Sequence, residues 1–196
     1  PLEETVTSEG IEEGVEIDLV THDLSKFVRL MLKRNGYVLE QLLSPLVVHT
    51  TPAHAELVSL AQGCLTKHHA HHYIGFAQTQ WNLFRKENPP RVKPLLYVYR
   101  VLLTGIHLMR EGVVEANLPR LNTSFGLPYI DELIARKTTS KEKGTLDDAD
   151  LPFHEREFER LLALLKSEHD RTSLPEEATA YDALDALIVR LRLATA

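Results

Sequence analysis

Lys93, Tyr97, Arg100, Thr104 and His107 recur at spacings of four, three, four and three residues. In an α-helix that spacing stacks them along one face. Around them, residues 92–110 are mostly Leu, Val, Ile, Met and Tyr, the composition of a helix buried on several sides. Cations on such a helix are costly unless they are paired or face a polar cleft. Phosphate oxygens satisfy both a lysine and the planar fork of an arginine. Carboxylates on neighbouring helices would satisfy them too, so the stripe alone leaves an anion pocket and structural ion pairs both open.

Two further groups of residues carry chemistry. Lys67-His68-His69-Ala70-His71-His72-Tyr73 is histidine-rich, and His68 and His72 share a helical face as two zinc ligands would. No HExxH motif and no nearby cysteine pair completes such a site. His68, His72, Gly75, Thr79 and Asn82 repeat the four-three-four-three spacing, which predicts a polar seam or a cleft wall opposite the Lys93 stripe. Glu16 and Asp18 lie two residues apart in an alternating segment, so a strand puts both carboxylates on one face. Paired carboxylates suit Mg²⁺ and phosphate chemistry, and they equally suit a solvent-facing strand edge. Cys64 sits on an apolar face, and no GxSxG or glycine-rich phosphate loop is present, so nucleophilic catalysis finds no support.

The elements that must position these groups are mostly helical. Residues 3–20 read either as a β-hairpin packed on helices, with Gly10 and Gly14 bracketing the turn, or as the remaining end of a larger sheet. Asp23 caps a helix through Leu24, Phe27, Val28 and Met31, which Asn35-Gly36 is expected to end. A short helix through Val38, Leu39 and Leu42 stops at Pro45, and Leu46-Val47-Val48 suggests a brief strand. Thr51-Pro52 opens a helix through Leu57, Leu60, Ala61, Cys64 and Leu65. Helices follow over about residues 68–86, 92–110 and 127–137, the last with Pro128 near its start. Residues 138–150 read as a polar, mobile loop. A helix with Phe158, Leu161, Leu162 and Leu165 comes next. Ser173-Leu174-Pro175-Glu176 reads as a capping box before a last helix with Leu184, Leu187, Ile188 and Leu191. The expected architecture is mainly α with a small α+β N-terminal part, divided into residues 1–50 and a helical domain over residues 51–196.

Composition narrows the function classes. The 196 residues, 43% of them hydrophobic, can bury a substantial core. No apolar run is long enough to cross a membrane, and the acidic opening Pro1-Leu2-Glu3-Glu4 lacks a signal peptide's basic region. With Cys64 alone, no intrachain disulfide forms, and a reducing cytoplasm is the expected compartment. A net charge of −6 argues against a general nucleic-acid coat, although Arg85, Lys86, Arg91, Lys93, Arg100 and Arg110 lie close in sequence and leave room for a local basic groove.

Taken together, several segments resemble a known family. Residues 14–27, Gly-Val-Glu-Ile-Asp-Leu-Val-Thr-His-Asp-Leu-Ser-Lys-Phe, look like its middle strand and following helix. Asn35 with Leu39-Glu40 and Leu43-Ser44-Pro45 looks like its N…LE..LSP segment. His72-Tyr73-Ile74-Gly75-Phe76-Ala77 and Arg91-Val92-Lys93-Pro94-Leu95-Leu96-Tyr97-Val98-Tyr99-Arg100 resemble its two helical signatures. The family is the predicted nucleotidyltransferases of the DNA polymerase β superfamily, also described as RNA repair pathway polymerase-like proteins.

The resemblance implies that carboxylates hold Mg²⁺, that Mg²⁺ orients a nucleoside triphosphate, and that a hydroxyl attacks the α-phosphate. Asp18 best matches the family's third carboxylate and metal ligand, with Glu16 the alternative. Lys93, Tyr97 and Arg100, with His72 and Tyr73, are the expected nucleotide- and phosphate-binding residues. The family's Gly-Ser…Asp-x-Asp module is missing from this sequence. The expectation is therefore either the C-terminal part of a longer nucleotidyltransferase, inactive by itself, or a degraded relative. The alternatives are a non-catalytic helical module that binds nucleotide, RNA or a protein partner, and a histidine-based metal protein.

Overall fold

A computed structural model describes residues 4–139, 145–146 and 150–194. Two strands, β1 (Thr5–Glu12) and β2 (Val15–His22), form an antiparallel hairpin. Its tight turn is Glu13-Gly14, both at positive φ (50° and 80°), the left-handed pair that matches hairpin twist. Gly10 is not at the turn; it lies within β1 opposite Ile17. The hairpin stands off the helices. Among the described residues its open end is tied by Asp23 N–H donating to the Glu4 carbonyl at 3.0 Å, by the Arg29–Glu4 ion pair and by Lys26 Nζ donating to the Thr5 hydroxyl. Ile11, Val15, Leu19 and Val20 are consequently exposed.

The remaining described elements are helical: α1 (Leu24–Leu32), α2 (Gly36–Leu42), α3 (Pro52–Leu60), a 3-10 turn (Ala61–Cys64), α4 (His69–Phe84), α5 (Val92–Glu111), α6 (Leu118–Phe125), α7 (Pro128–Thr139), α8 (Leu151–Arg171) and α9 (Tyr181–Ala194). The fold is thus a small antiparallel sheet followed by a long helical bundle, as the sequence predicts. Helix α5 is its axis. Thirteen of its twenty residues are buried, and α4, α6, α7 and α8 pack around it. It stops at Gly112, whose φ of 65° gives the left-handed cap. Val28 and Met31 of α1 and Val38 and Leu39 of α2 join the same buried cluster as α5.

Tyr73 shows how closely these helices approach. Its ring is fully buried between Gly36 and Gly105. A Cβ at Gly36 would lie 2.8 Å from the Tyr73 hydroxyl, and one at Gly105 would lie 2.7 Å from the Tyr73 Cβ. Only residues without a side chain let α2 and α5 close on this ring.

Several local expectations are corrected. Asn35-Gly36 opens α2 rather than closing α1: the Asn35 side chain accepts from the Tyr37 N–H at 3.0 Å, and Arg34 takes the left-handed position at φ 64°. Leu46, Val47 and Val48 form no strand and are exposed; the one sheet among the described residues is the β1–β2 hairpin. Ser173 does not cap a helix, since α9 begins at Tyr181. Glu176 instead pairs with Lys67 at 2.5 Å, and the Pro175 carbonyl accepts from the Lys67 N–H at 2.9 Å. Helix α6 was not anticipated. It is short, capped by Asn117 and ended by Gly126 at φ 63°. Within residues 138–150, Thr138 and Thr139 extend α7, Thr145 bridges back to Arg91, and Leu146 is buried. The expected mobile loop otherwise falls on residues 140–144 and 147–149, outside the described residues.

Candidate functional site

The stripe on α5 opens into a cleft of about 820 Å³ between the end of α4, the start of α5, and faces of α6 and α7. Leu83, Phe84, Pro94, Leu96, Leu118 and Ile134 provide an apolar lining. Lys86, Arg91, Lys93, Arg100 and Lys137 also line the cleft, with Glu87 as the one acidic residue among the described lining side chains. The size and the mixture of apolar wall and convergent cations suit a phosphorylated small molecule.

The cations differ in how free they are. Arg91 pairs with Glu87, whose carboxyl is held below its usual range by that hydrogen bond. Arg100 donates to Glu40 at 2.5 Å, with side chains only 19% and 11% exposed. Burial opposes the Arg100 charge, and the Glu40 carboxylate outweighs it and raises the guanidinium's pKa. Arg100 also stacks over the Tyr97 ring at 4.6 Å, and Tyr97 meets Phe76 edge-on at 5.7 Å. By contrast, Lys86, Lys93 and Lys137 have no carboxylate partner among the described residues. The stripe thus holds a structural ion pair at Arg100 and, at Lys93, a cation without a carboxylate partner among the described residues. Deeper along the same helix, Thr104 is fully buried with an unpartnered hydroxyl.

Lys93, Tyr97 and Arg100 thus come together on one wall. Tyr73 and His72 fall elsewhere. Tyr73 is sealed in the core, its hydroxyl pKa driven up by burial and by Glu40. His72 is half-buried against Tyr73 and Phe76, beside Arg34 and Asn35. None of His68, His72, Gly75, Thr79 and Asn82 lines the cleft. The face of α4 that does so carries Gln80, Leu83 and Phe84.

Glu16 and Asp18 share a face of the exposed hairpin, where Asp18 pairs across the strands with Glu9 and Glu16 with Ile11. No three carboxylates converge there or elsewhere among the described residues. The carboxylates described here do not by themselves fit a Mg²⁺ site.

The histidine-rich stretch divides by burial. His69 is fully buried, with Nδ1 3.1 Å from the Thr66 carbonyl oxygen and 3.2 Å from the Thr66 nitrogen. Burial pushes its pKa down to about 4, against the opposing Thr66 hydrogen bond. His68 and His71 turn instead toward His169 on α8.

Sequence reasoning did not single out Glu40, Gln80 or Lys137 as site residues. Glu40 was visible only as part of a family segment, since its side chain reaches a helix distant in sequence. Lys137 comes from the end of α7, where a polar flank masks it.

The family model described as RNA repair pathway DNA polymerase beta family matches residues 5–190. An uncharacterized protein of Methanocaldococcus jannaschii is 35% identical over 100 residues, covering 51% of this chain and 41% of that relative. The aligned part is therefore less than half the length of that relative. No solved structure matches. No helix among the described residues is long and apolar enough to cross a membrane. With the match extending from the first strand into the last helix, the chain belongs to the RNA repair pathway DNA polymerase beta family.

Proposed function

We propose that this chain supplies the triphosphate-facing helical part of a nucleotidyltransferase, with residues 51–196 as the helical domain and residues 1–50 as the C-terminal part of a nucleotidyltransferase-like α/β core. One observation carries the reading: in a member of this family, a cleft of about 820 Å³ presents Lys86, Lys93 and Lys137, without carboxylate partners among the described residues, beside Arg100 and an apolar wall. A nucleoside triphosphate places its phosphates against the lysines and its base against Leu83, Phe84 and Leu96. In the reaction, an acceptor hydroxyl oxygen bonds to the α-phosphorus, the bond to the bridging oxygen breaks, and pyrophosphate leaves. RNA or a protein hydroxyl is the acceptor class in view, and the setting is cytoplasmic.

Mg²⁺ in this reading needs carboxylates beyond those that the described residues bring together. Asp18, with Glu16 as the alternative, is the residue proposed to join them as a metal ligand and catalytic carboxylate. The contribution assigned to the cleft is binding and orientation of the phosphates. A non-catalytic nucleotide-, RNA- or protein-binding module is the second reading, favoured by the lack of a converging carboxylate set among the described residues.

Titrating the full-length protein with ATP, with and without Mg²⁺, tests the proposal. Lys93→Ala is expected to weaken binding by about 1–3 kcal/mol, the scale of a charge-assisted hydrogen bond. Unchanged affinity in both Lys93→Ala and Lys137→Ala would overturn it. Mg²⁺-dependent pyrophosphate release separates the enzyme from the binding module.

A further inference from the structure

His68 sits immediately before α4, His71 lies in its first turn, and His169 lies in the last turn of α8. One ring nitrogen from each lies within 4.8 Å of the others. The His68 and His71 rings stack at 5.9 Å, and His71 meets His169 at 5.0 Å. The ends of two helices thus bring three imidazoles together, outside the cleft.

His169 has a feature that simple packing does not explain. Its Nδ1 lies 3.2 Å from the Asp170 carboxylate, while its Nε2 is buried without a hydrogen-bond partner. A carboxylate accepting from Nδ1–H fixes the neutral tautomer and leaves the Nε2 lone pair free to bind a cation. The same carboxylate–imidazole arrangement orients metal-binding histidines. Lys67, the nearest lysine in sequence, is held by Glu176 at 2.5 Å, so its ammonium is compensated.

We propose that His68, His71 and His169 bind one Zn²⁺ ion, linking the start of α4 to the end of α8, with Asp170 as a positioning residue. Three neutral imidazoles select a transition ion over Mg²⁺ or Ca²⁺, which prefer oxygen ligands. A fourth tetrahedral position is left for water or an added ligand. This site is independent of the nucleotide reading, since its three histidines do not line the cleft.

The test uses the full chain without a histidine tag. Co²⁺ titration should give saturable visible absorption of tetrahedral type at one equivalent, and Zn²⁺ should displace it and raise the melting temperature. His71→Ala, at an exposed position, and His169→Ala should each weaken Zn²⁺ binding at least tenfold, and Asp170→Asn by about tenfold. His72→Ala should leave it unchanged. Absence of saturable Co²⁺ binding would overturn the site. So would undiminished affinity in His71→Ala with its native circular dichroism retained, or loss of binding in His72→Ala instead.

Discussion

Replacing Glu40 by Gln is expected to destabilise the fold by about 3 kcal/mol, the lower end of what stranding one partner of a buried ion pair costs. The two side chains are only 11% and 19% exposed, so Arg100 would keep its charge with little water to replace the carboxylate. The low end applies because Arg100 also borders the cleft, where solvent enters. Urea unfolding measures the loss. A Glu40→Leu/Arg100→Met double variant should recover much of it, because both charges leave together. Inorganic triphosphate should stabilise Glu40→Gln more than the parent protein, since an anion in the cleft restores the missing charge. A loss below about 1 kcal/mol would mean that water already solvates the pair and that its worth is that of a surface bridge.

Acid should weaken the fold through His69 before most carboxylates titrate. Its pKa falls from 6.5 to about 4 on folding because the charged ring would be buried, with Nε2 lacking any acceptor. The folded state therefore resists a proton that the unfolded chain accepts. Stability is fully present above pH 6.5 and declines as the pH falls toward 4, by up to about 3 kcal/mol from the size of the shift. His72 and His154 are also lowered, chiefly by burial, and act in the same direction. His69→Gln isolates the effect. Its stability should fall less steeply over this window than the parent's, by urea unfolding at matched pH. Equal slopes in both proteins would remove His69 as the cause.

Helix α5 was readable because its polar stripe and apolar body depend only on the helical period. Thr51-Pro52 was readable because a cap and its proline are local chemistry, and Thr51 does accept from the His54 N–H at 3.1 Å. Asn35-Gly36 was not, because the same pair can end one helix or begin the next. Here the close approach of Gly36 to Tyr73, far away in sequence, accompanies its place at the start of α2. The false capping box at Ser173 failed for a similar reason, since Lys67 engages both Pro175 and Glu176. At the cleft, Lys93, Tyr97 and Arg100 were legible as one face of one helix. Gln80 and Lys137 were not, because their meeting with that face depends on packing. The histidines show the same limit. Spacing on α4 pointed to His68 with His72; His68 and His71, three residues apart, share a face as well, and it is helix packing that brings His169 to them.

Hydrogen exchange of the full-length protein, with and without saturating ATP, tests the central claim most directly, because it locates binding by segment. Protection is expected at the end of α4, the first turns of α5 and the end of α7, where the cleft lies. It should diminish in Lys93→Ala at equal ATP. No protection by ATP, or protection that leaves these three segments unchanged, would contradict the assignment of the cleft to the nucleotide.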